Sequence, residues 1–224
     1  MAKLSTLVLL LLFVLPFQVA SQQLEIDSPP KELGEKRSAD LVELVKLDPT
    51  IKLDVRYATS NNFVGRPVYR TAKAFLQRPA AEALLRVHKS LKNDGYGLVI
   101  FDGYRPWRVT KIFWEVTPED KRQFVADPRK GSRHNRGCAV DLSLYDLKSG
   151  QEVKMPGEYD EMSERSHIDY GGGSEESRRL RNLLRSRMEA EGFKVYEVEW
   201  WHYDYKDWQE YPILDIDFAE IMPK

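Results

Sequence analysis

The chain predicts an α+β fold: a single compact domain in which a mixed or antiparallel sheet is flanked by helices. Two observations point there. Stretches with strand periodicity and stretches with helical periodicity are interspersed without a regular βαβ rhythm. No repeat, low-complexity run or linker divides the 224 residues. The composition agrees, since 42% hydrophobic and 11% aromatic residues are enough for a real core. A chain of this length folded as one domain buries roughly 70% of its unfolded surface.

The first twenty-one residues differ in kind from the rest. Lys3 gives a positive start, Leu7 to Leu15 is an unbroken apolar run, and Val19-Ala20-Ser21 offers small side chains around a cut. That three-part pattern reads as a secretory signal peptide over residues 1–21, with an uncleaved anchor as the plainer alternative. The apolar run falls well short of the about 20 residues that a spanning helix needs. Export to the periplasm or the medium is therefore expected, with no stable membrane insertion after cleavage. Residues 22–38, with Pro29-Pro30, read as an extended lead-in, and residues 39–224 as the domain.

Within that domain, Ile51, Leu53, Val55 and Tyr57 alternate with polar residues, which predicts a half-buried strand. Ala80, Leu84, Val87 and Leu91 have helical spacing behind Pro79, and Asn93-Asp94-Gly95 ends that helix. Gly97 to Phe101 is a short apolar strand closing at Asp102-Gly103. Residues 106–126 suggest one or two short helices. From Cys138 to Leu144 a strand turns Val140, Leu142 and Leu144 one way and Ala139, Asp141 and Ser143 the other. A charged helix follows Gly171-Gly172-Gly173, capped by Ser174 and ended by Gly192, and a last strand region covers 193–205. The three glycines lack the Lys-Ser/Thr of a phosphate loop and read as a hinge.

Charge and cysteine usage exclude several classes. With 34 basic and 35 acidic side chains, the chain has no general attraction to nucleic acid. A single cysteine excludes an internal disulfide framework and any CxxC zinc knuckle. Cys138 shares strand parity with Val140 and should point to the core as a small hydrophobe.

Of the four histidines, His88 flanks a helical apolar stripe and His167 lies in a polar stretch, so both read as structural. His134 and Asp141 stand where a loop enters a strand, with Asp141 facing away from the apolar layer. A carboxylate buried there costs several kcal/mol unless it is paired or bound to a metal. Zinc takes His nitrogen and Asp oxygen, and a catalytic site needs three protein ligands and one open position. His202, in Glu199-Trp200-Trp201-His202, can complete the set, with Glu199 beside the metal as a proton carrier. Three positions separate Glu199 from His202, so an ideal strand sends them to opposite faces, and both reach one metal only if the backbone bulges. On spacing alone, an aromatic edge strand with an incidental histidine explains this stretch as well. Arg105, on a turn stiffened by Gly103 and Pro106, is a candidate donor to a developing oxyanion. A surface arginine held by Asp102 is the plainer reading of the same residue.

Taken in order, Asp102-Gly103-Tyr104-Arg105-Pro106, Ser132-x-His134-x-x-Gly137-x-Ala139-x-Asp141 and Glu199-Trp200-Trp201-His202 resemble the zinc D-alanyl-D-alanine dipeptidases of the VanX type. These group with the D-Ala-D-Ala carboxypeptidases and hedgehog-like zinc domains. Arg56 to Phe63 and Tyr159 to Ser163 are similar to further blocks of that family, so the resemblance spans nearly the whole mature chain. It implies one zinc ion per chain on His134, Asp141 and His202, and Glu199 as general base and acid. It implies Arg105 stabilising the tetrahedral intermediate, Asp160 capturing the ammonium of a small dipeptide, and Ser132 and Tyr57 lining the pocket. The function implied is hydrolysis of D-Ala-D-Ala or related D,D-dipeptides by metal-activated water. Trimming of peptidoglycan stems and a non-catalytic zinc-held binding domain are the alternatives. Nothing in the sequence indicates the oligomeric state.

Overall fold

A computed structural model describes residues 27–221. The predicted signal peptide lies outside the described residues. Strand β1 (Leu41–Glu43) runs into a one-turn helix α1 (Leu44–Leu47), and β2 is a two-residue strand (Lys52–Leu53). Then come β3 (Phe75–Gln77), α2 (Arg78–Lys92), β4 (Tyr96–Asp102), α3 (Trp107–Val116) and β5 (Ala139–Asp146). Helix α4 (Glu175–Ala190) and the pair β6 (Phe193–Tyr196) and β7 (Glu199–Tyr205) complete the chain. The main sheet has the order β2-β4-β5-β7-β6, with β2 parallel to β4 and every other pair antiparallel; β1 and β3 form a separate two-stranded ribbon. This is the α+β domain that the pattern predicts.

Helices α2 and α4 lie against each other and against β4 and β6. Their apolar stripes, Leu84, Val87 and Leu91 on α2 and Leu180, Leu184 and Met188 on α4, are fully or almost fully buried. The caps follow the sequence. Pro79 occupies the first turn of α2, and the Ser174 hydroxyl accepts the backbone N–H of Ser177 at the start of α4. In β5, Val140, Leu142 and Leu144 belong to the apolar core, and Cys138 beside them is fully buried, as its parity requires. The register aligns Val140 with Tyr203 and Asp141 with His202, so the two polar residues share the opposite face of the sheet.

The alternation from Ile51 to Tyr57 does not form the strand it predicts. Only Lys52 and Leu53 pair with β4, and the chain then tightens into a 3-10 turn over Arg56–Ala58. Ile51 and Val55 are buried as the pattern asks and Leu53 is half-buried, but Tyr57 is drawn inward to a polar partner on a distant loop. The ribbon strands β1 and β3 carry no signal of their own; three residues each are too short for a period to register. The described part of the lead-in, 27–38, has neither helix nor strand and is tied to the far end of the chain, where Glu32 pairs with Arg136 and accepts the Ile213 N–H.

Candidate metal centre and its cavity

Three loops and two strands meet at one end of the sheet. The loop after β4 makes its turn at Gly103, where a Cβ would stand 2.6 Å from the carbonyl oxygen of Phe75. Only glycine lets the loop lie this close to β3. A 3-10 turn, His134–Arg136, ends at Gly137 in the left-handed conformation (φ 66°) and feeds β5. The two loops are stitched together: the Arg105 N–H donates to the His134 carbonyl at 3.0 Å, and the Asn135 amide donates to the Arg105 carbonyl at 2.8 Å.

On β7 the bulge that Glu199 and His202 need to face one centre is present. Val195 pairs with Tyr203 but Tyr196 pairs with Glu199, so Trp200, Trp201 and His202 have no partner on β6. The extra residues undo the strand alternation and bring the Glu199 carboxylate to 3.7 Å from His202 Nδ1. His202 keeps its place opposite Asp141 on β5.

His134 Nε2, His202 Nδ1 and Asp141 Oδ1 form a triangle with sides of 3.0, 3.0 and 3.3 Å. Tetrahedral zinc with bonds of about 2.0–2.1 Å holds its ligand atoms roughly 3.3 Å apart. The partners behind each ligand complete the fit. His134 Nδ1 lies 2.7 Å from the Gly103 carbonyl, which can only accept, and His202 Nε2 lies 2.9 Å from the Asp204 carboxylate. Each outer nitrogen therefore donates, leaving the two inner nitrogens as lone pairs aimed at each other and at a carboxylate oxygen. With both rings neutral, three acceptors converge, the donor set that a divalent cation fits. In the metal-free chain, burial is outweighed by the Asp204 and Asp141 carboxylates, which hold the His202 imidazole well above its usual value. A metal ion bound here would displace that proton.

Around the triangle, a cavity of about 500 Å³ opens to solvent, and all eight residues singled out from the sequence line it. Glu199 is largely covered, and burial, opposed by His202, pushes its carboxyl up to about 8. Arg105 is buried rather than on the surface. Asp102 accepts from its Nε and Nη2, each at 2.9 Å, and the guanidinium lies 3.7 Å from Asp141. Asp160 has φ 61°, the one non-glycine residue with positive φ among the described residues. Burial pushes its carboxyl up to about 7, and it accepts the Tyr57 hydroxyl at 2.8 Å. Tyr57 thus reaches the pocket as the support of Asp160. Ser132 lines the wall, with its hydroxyl accepting the His134 N–H at 3.2 Å.

Several contributors are not on the sequence-derived list. Asp204 orients His202; it lies two residues on, hence on the same strand face, which is a signal the pattern offers. Asp102 braces Arg105 and is itself held by the Tyr69 hydroxyl at 2.9 Å. The Tyr159 hydroxyl donates to Asp141 at 3.3 Å. Tyr69 has no local sequence signal, and Tyr159 stands out only as the first residue of the Tyr159–Ser163 block. His88 is structural, as expected: fully buried, it accepts the Leu98 N–H at 3.1 Å.

Three candidate ligands on the wall of a cavity, a carboxylate beside them and a fixed guanidinium 3.7 Å from one of them are the parts of a metallohydrolase. The chain belongs to the D-ala-D-ala dipeptidase family, Peptidase_M15, whose model matches residues 37–221, and it is a metallo-dipeptidase by that membership. It is 34% identical over 182 residues to the D-alanyl-D-alanine dipeptidase of Escherichia coli (strain K12), covering 81% of this chain and 93% of that one. Identity to the D-alanyl-D-alanine dipeptidase of Enterococcus faecium is 37% over 186 residues, covering 75% and 92%. For the D-alanyl-D-alanine dipeptidase of Streptomyces coelicolor it is 35% over 199 residues, covering 81% and 98%.

Proposed function

We propose that the protein is a zinc-dependent dipeptidase that cleaves D-alanyl-D-alanine or a closely related D,D-dipeptide. The observation that carries this reading is the set of converging lone pairs of His134, His202 and Asp141 on the wall of a cavity that also holds Glu199, Arg105 and Asp160. A structural zinc site is closed and needs none of the last three.

When bound, zinc supplies a Lewis acid and brings the pKa of a coordinated water to about 7. The chain's own residues do the rest. Asp160, held by Tyr57, takes the free ammonium of the substrate and thereby places the amide between Glu199 and Arg105. A carboxylate at that spot favours short substrates, because a longer chain puts a neutral amide and its neighbours where a cation belongs. The Glu199 carboxylate takes a proton from the attacking water as its oxygen bonds to the carbonyl carbon, and delivers that proton to the leaving amine as the C–N bond breaks. The Arg105 guanidinium, fixed by Asp102, meets the negative charge that develops on the carbonyl oxygen, a contribution of about 3 kcal/mol. The apolar run Leu7 to Leu15 supports the same chemistry outside the cytoplasm.

The test is an assay of the purified mature chain on D-Ala-D-Ala against L-Ala-L-Ala, with metal analysis. Selective D,D cleavage with one zinc per chain is expected. Glu199→Ala should lose hydrolysis by 10²-fold or more, about the scale of a general base, while keeping its zinc. A Glu199→Ala protein as active as the parent refutes the mechanism.

A further inference from the structure

The reading above assigns the ammonium end of the substrate and the scissile amide, but nothing in it binds the other end. The free carboxylate of a dipeptide lies about 7 Å from its ammonium when the two residues are extended, so it needs a partner on the far side of the metal centre from Asp160.

The charged groups around the cavity form a chain of contacts. At one end Asp160 is held by the Tyr57 hydroxyl at 2.8 Å, and the Arg105 guanidinium lies over the Tyr57 ring at 5.6 Å. Arg105 stands 3.7 Å from Asp141, which meets His202 Nδ1 at 3.0 Å. On the other side of the His202 ring, Nε2 lies 2.9 Å from Asp204, and Asp204 lies 3.4 Å from Arg133. Arg133 lines the cavity at that far end and is half-buried. It is also held in place. Its guanidinium stacks over the Trp208 ring at 5.0 Å, and its Nε lies 3.4 Å from the Asp204 carboxylate. No described residue accepts from its two terminal nitrogens. A stacked and braced guanidinium keeps its fork of donors oriented toward a carboxylate at small entropic cost.

We propose that Arg133 binds the C-terminal carboxylate of the dipeptide and so sets the length and the free-acid specificity of the substrate. This rests on the dipeptidase reading above. With Asp160 it makes the cavity a two-ended gauge: an anion for the ammonium, a cation for the carboxylate, and the hydrolytic centre between them. A zwitterion one residue longer does not match both ends at once, and a dipeptide amide lacks the charge that Arg133 selects.

The experiment compares parent, Arg133→Gln and Arg133→Lys on D-Ala-D-Ala and on D-Ala-D-Ala amide, with zinc content measured for each. For Arg133→Gln the expected result is a KM for the free acid raised about tenfold with kcat little changed. The amide should be turned over as by the parent, zinc should be retained, and Arg133→Lys should recover part of the loss. An equal loss on free acid and amide, a fall in kcat rather than a rise in KM, or loss of zinc overturns the proposal, because Arg133 then acts only through Asp204 and His202. A parent that cleaves neither substrate refutes the dipeptidase reading itself, which separates that failure from this one.

Discussion

Asp160→Asn is expected to stabilise the protein while disabling it. The carboxyl has a folded pKa of about 7 against an ordinary 3.8, and burial is the main cause. Its neutral form is therefore the one the fold prefers. The folded chain binds more protons than the unfolded chain between pH 3.8 and about 7, so stability falls as pH rises through that window. At 1.36 kcal/mol per unit the ceiling at pH 8 is about 4 kcal/mol. Partial contact with solvent reduces this to a working figure of about 2 kcal/mol. Asparagine removes the charge, keeps an oxygen for the Tyr57 hydroxyl, and tolerates the left-handed backbone at this position. In urea titrations at pH 8, Asp160→Asn should be more stable than the parent by about 2 kcal/mol, or about 4–8 °C in Tm for a chain of this size. The gap should close toward pH 4 and be largest in metal-free protein, because a divalent cation nearby favours the carboxylate. Activity should move the other way. Losing a charged hydrogen bond to the ammonium costs about 1.5–3 kcal/mol, roughly 10- to 100-fold in kcat/KM on a free dipeptide. An Asn variant less stable than the parent at pH 8 would show that the carboxylate is well paired in the fold and sink the argument.

Three other outcomes follow from the same geometry. Asp204→Asn should weaken zinc binding about 10- to 100-fold in a chelator competition, because Asp204 fixes the tautomer that turns the His202 lone pair inward; an unchanged affinity contradicts that role. Gly103→Ala should cost about 2 kcal/mol or more in denaturant unfolding and lower zinc affinity, since the new Cβ meets the Phe75 carbonyl at 2.6 Å and displaces the Gly103 oxygen that orients His134. His88 adds acid sensitivity: burial pushes its pKa down to about 4 from 6.5, so the unfolded chain binds the extra proton and stability falls as pH drops from 6.5 toward 4. His88→Gln should flatten that part of the stability–pH curve by about 2 kcal/mol, and an unaltered slope removes His88 as its source.

The residue types and their order determined a good deal without any coordinates. Hydrophobic periods mark α2 and β5, an unbroken apolar run closing at Asp102-Gly103 marks β4, and the Ser174 cap and Gly192 mark α4. The chemistry was legible only in blocks taken together: His134 with Asp141 across one loop-to-strand entry and Glu199 with His202 each allow a plainer reading alone, and their order along the chain is what resembles the family. The tertiary structure decided what depends on partners far apart in the chain. The stretch 51–57 has a strand's alternation, yet Tyr57 leaves the sheet because a loop more than a hundred residues later brings Asp160 to it. Arg105 is a surface arginine or a buried one according to whether Asp102 and the cavity wall enclose it, and here they do. The acceptor geometry that makes two imidazoles and a carboxylate into a metal site comes from the Gly103 carbonyl and Asp204, set behind them by the packing of three separate segments. A sequence pattern records which side chains can meet; which way their lone pairs point is set only when the backbone behind them is fixed.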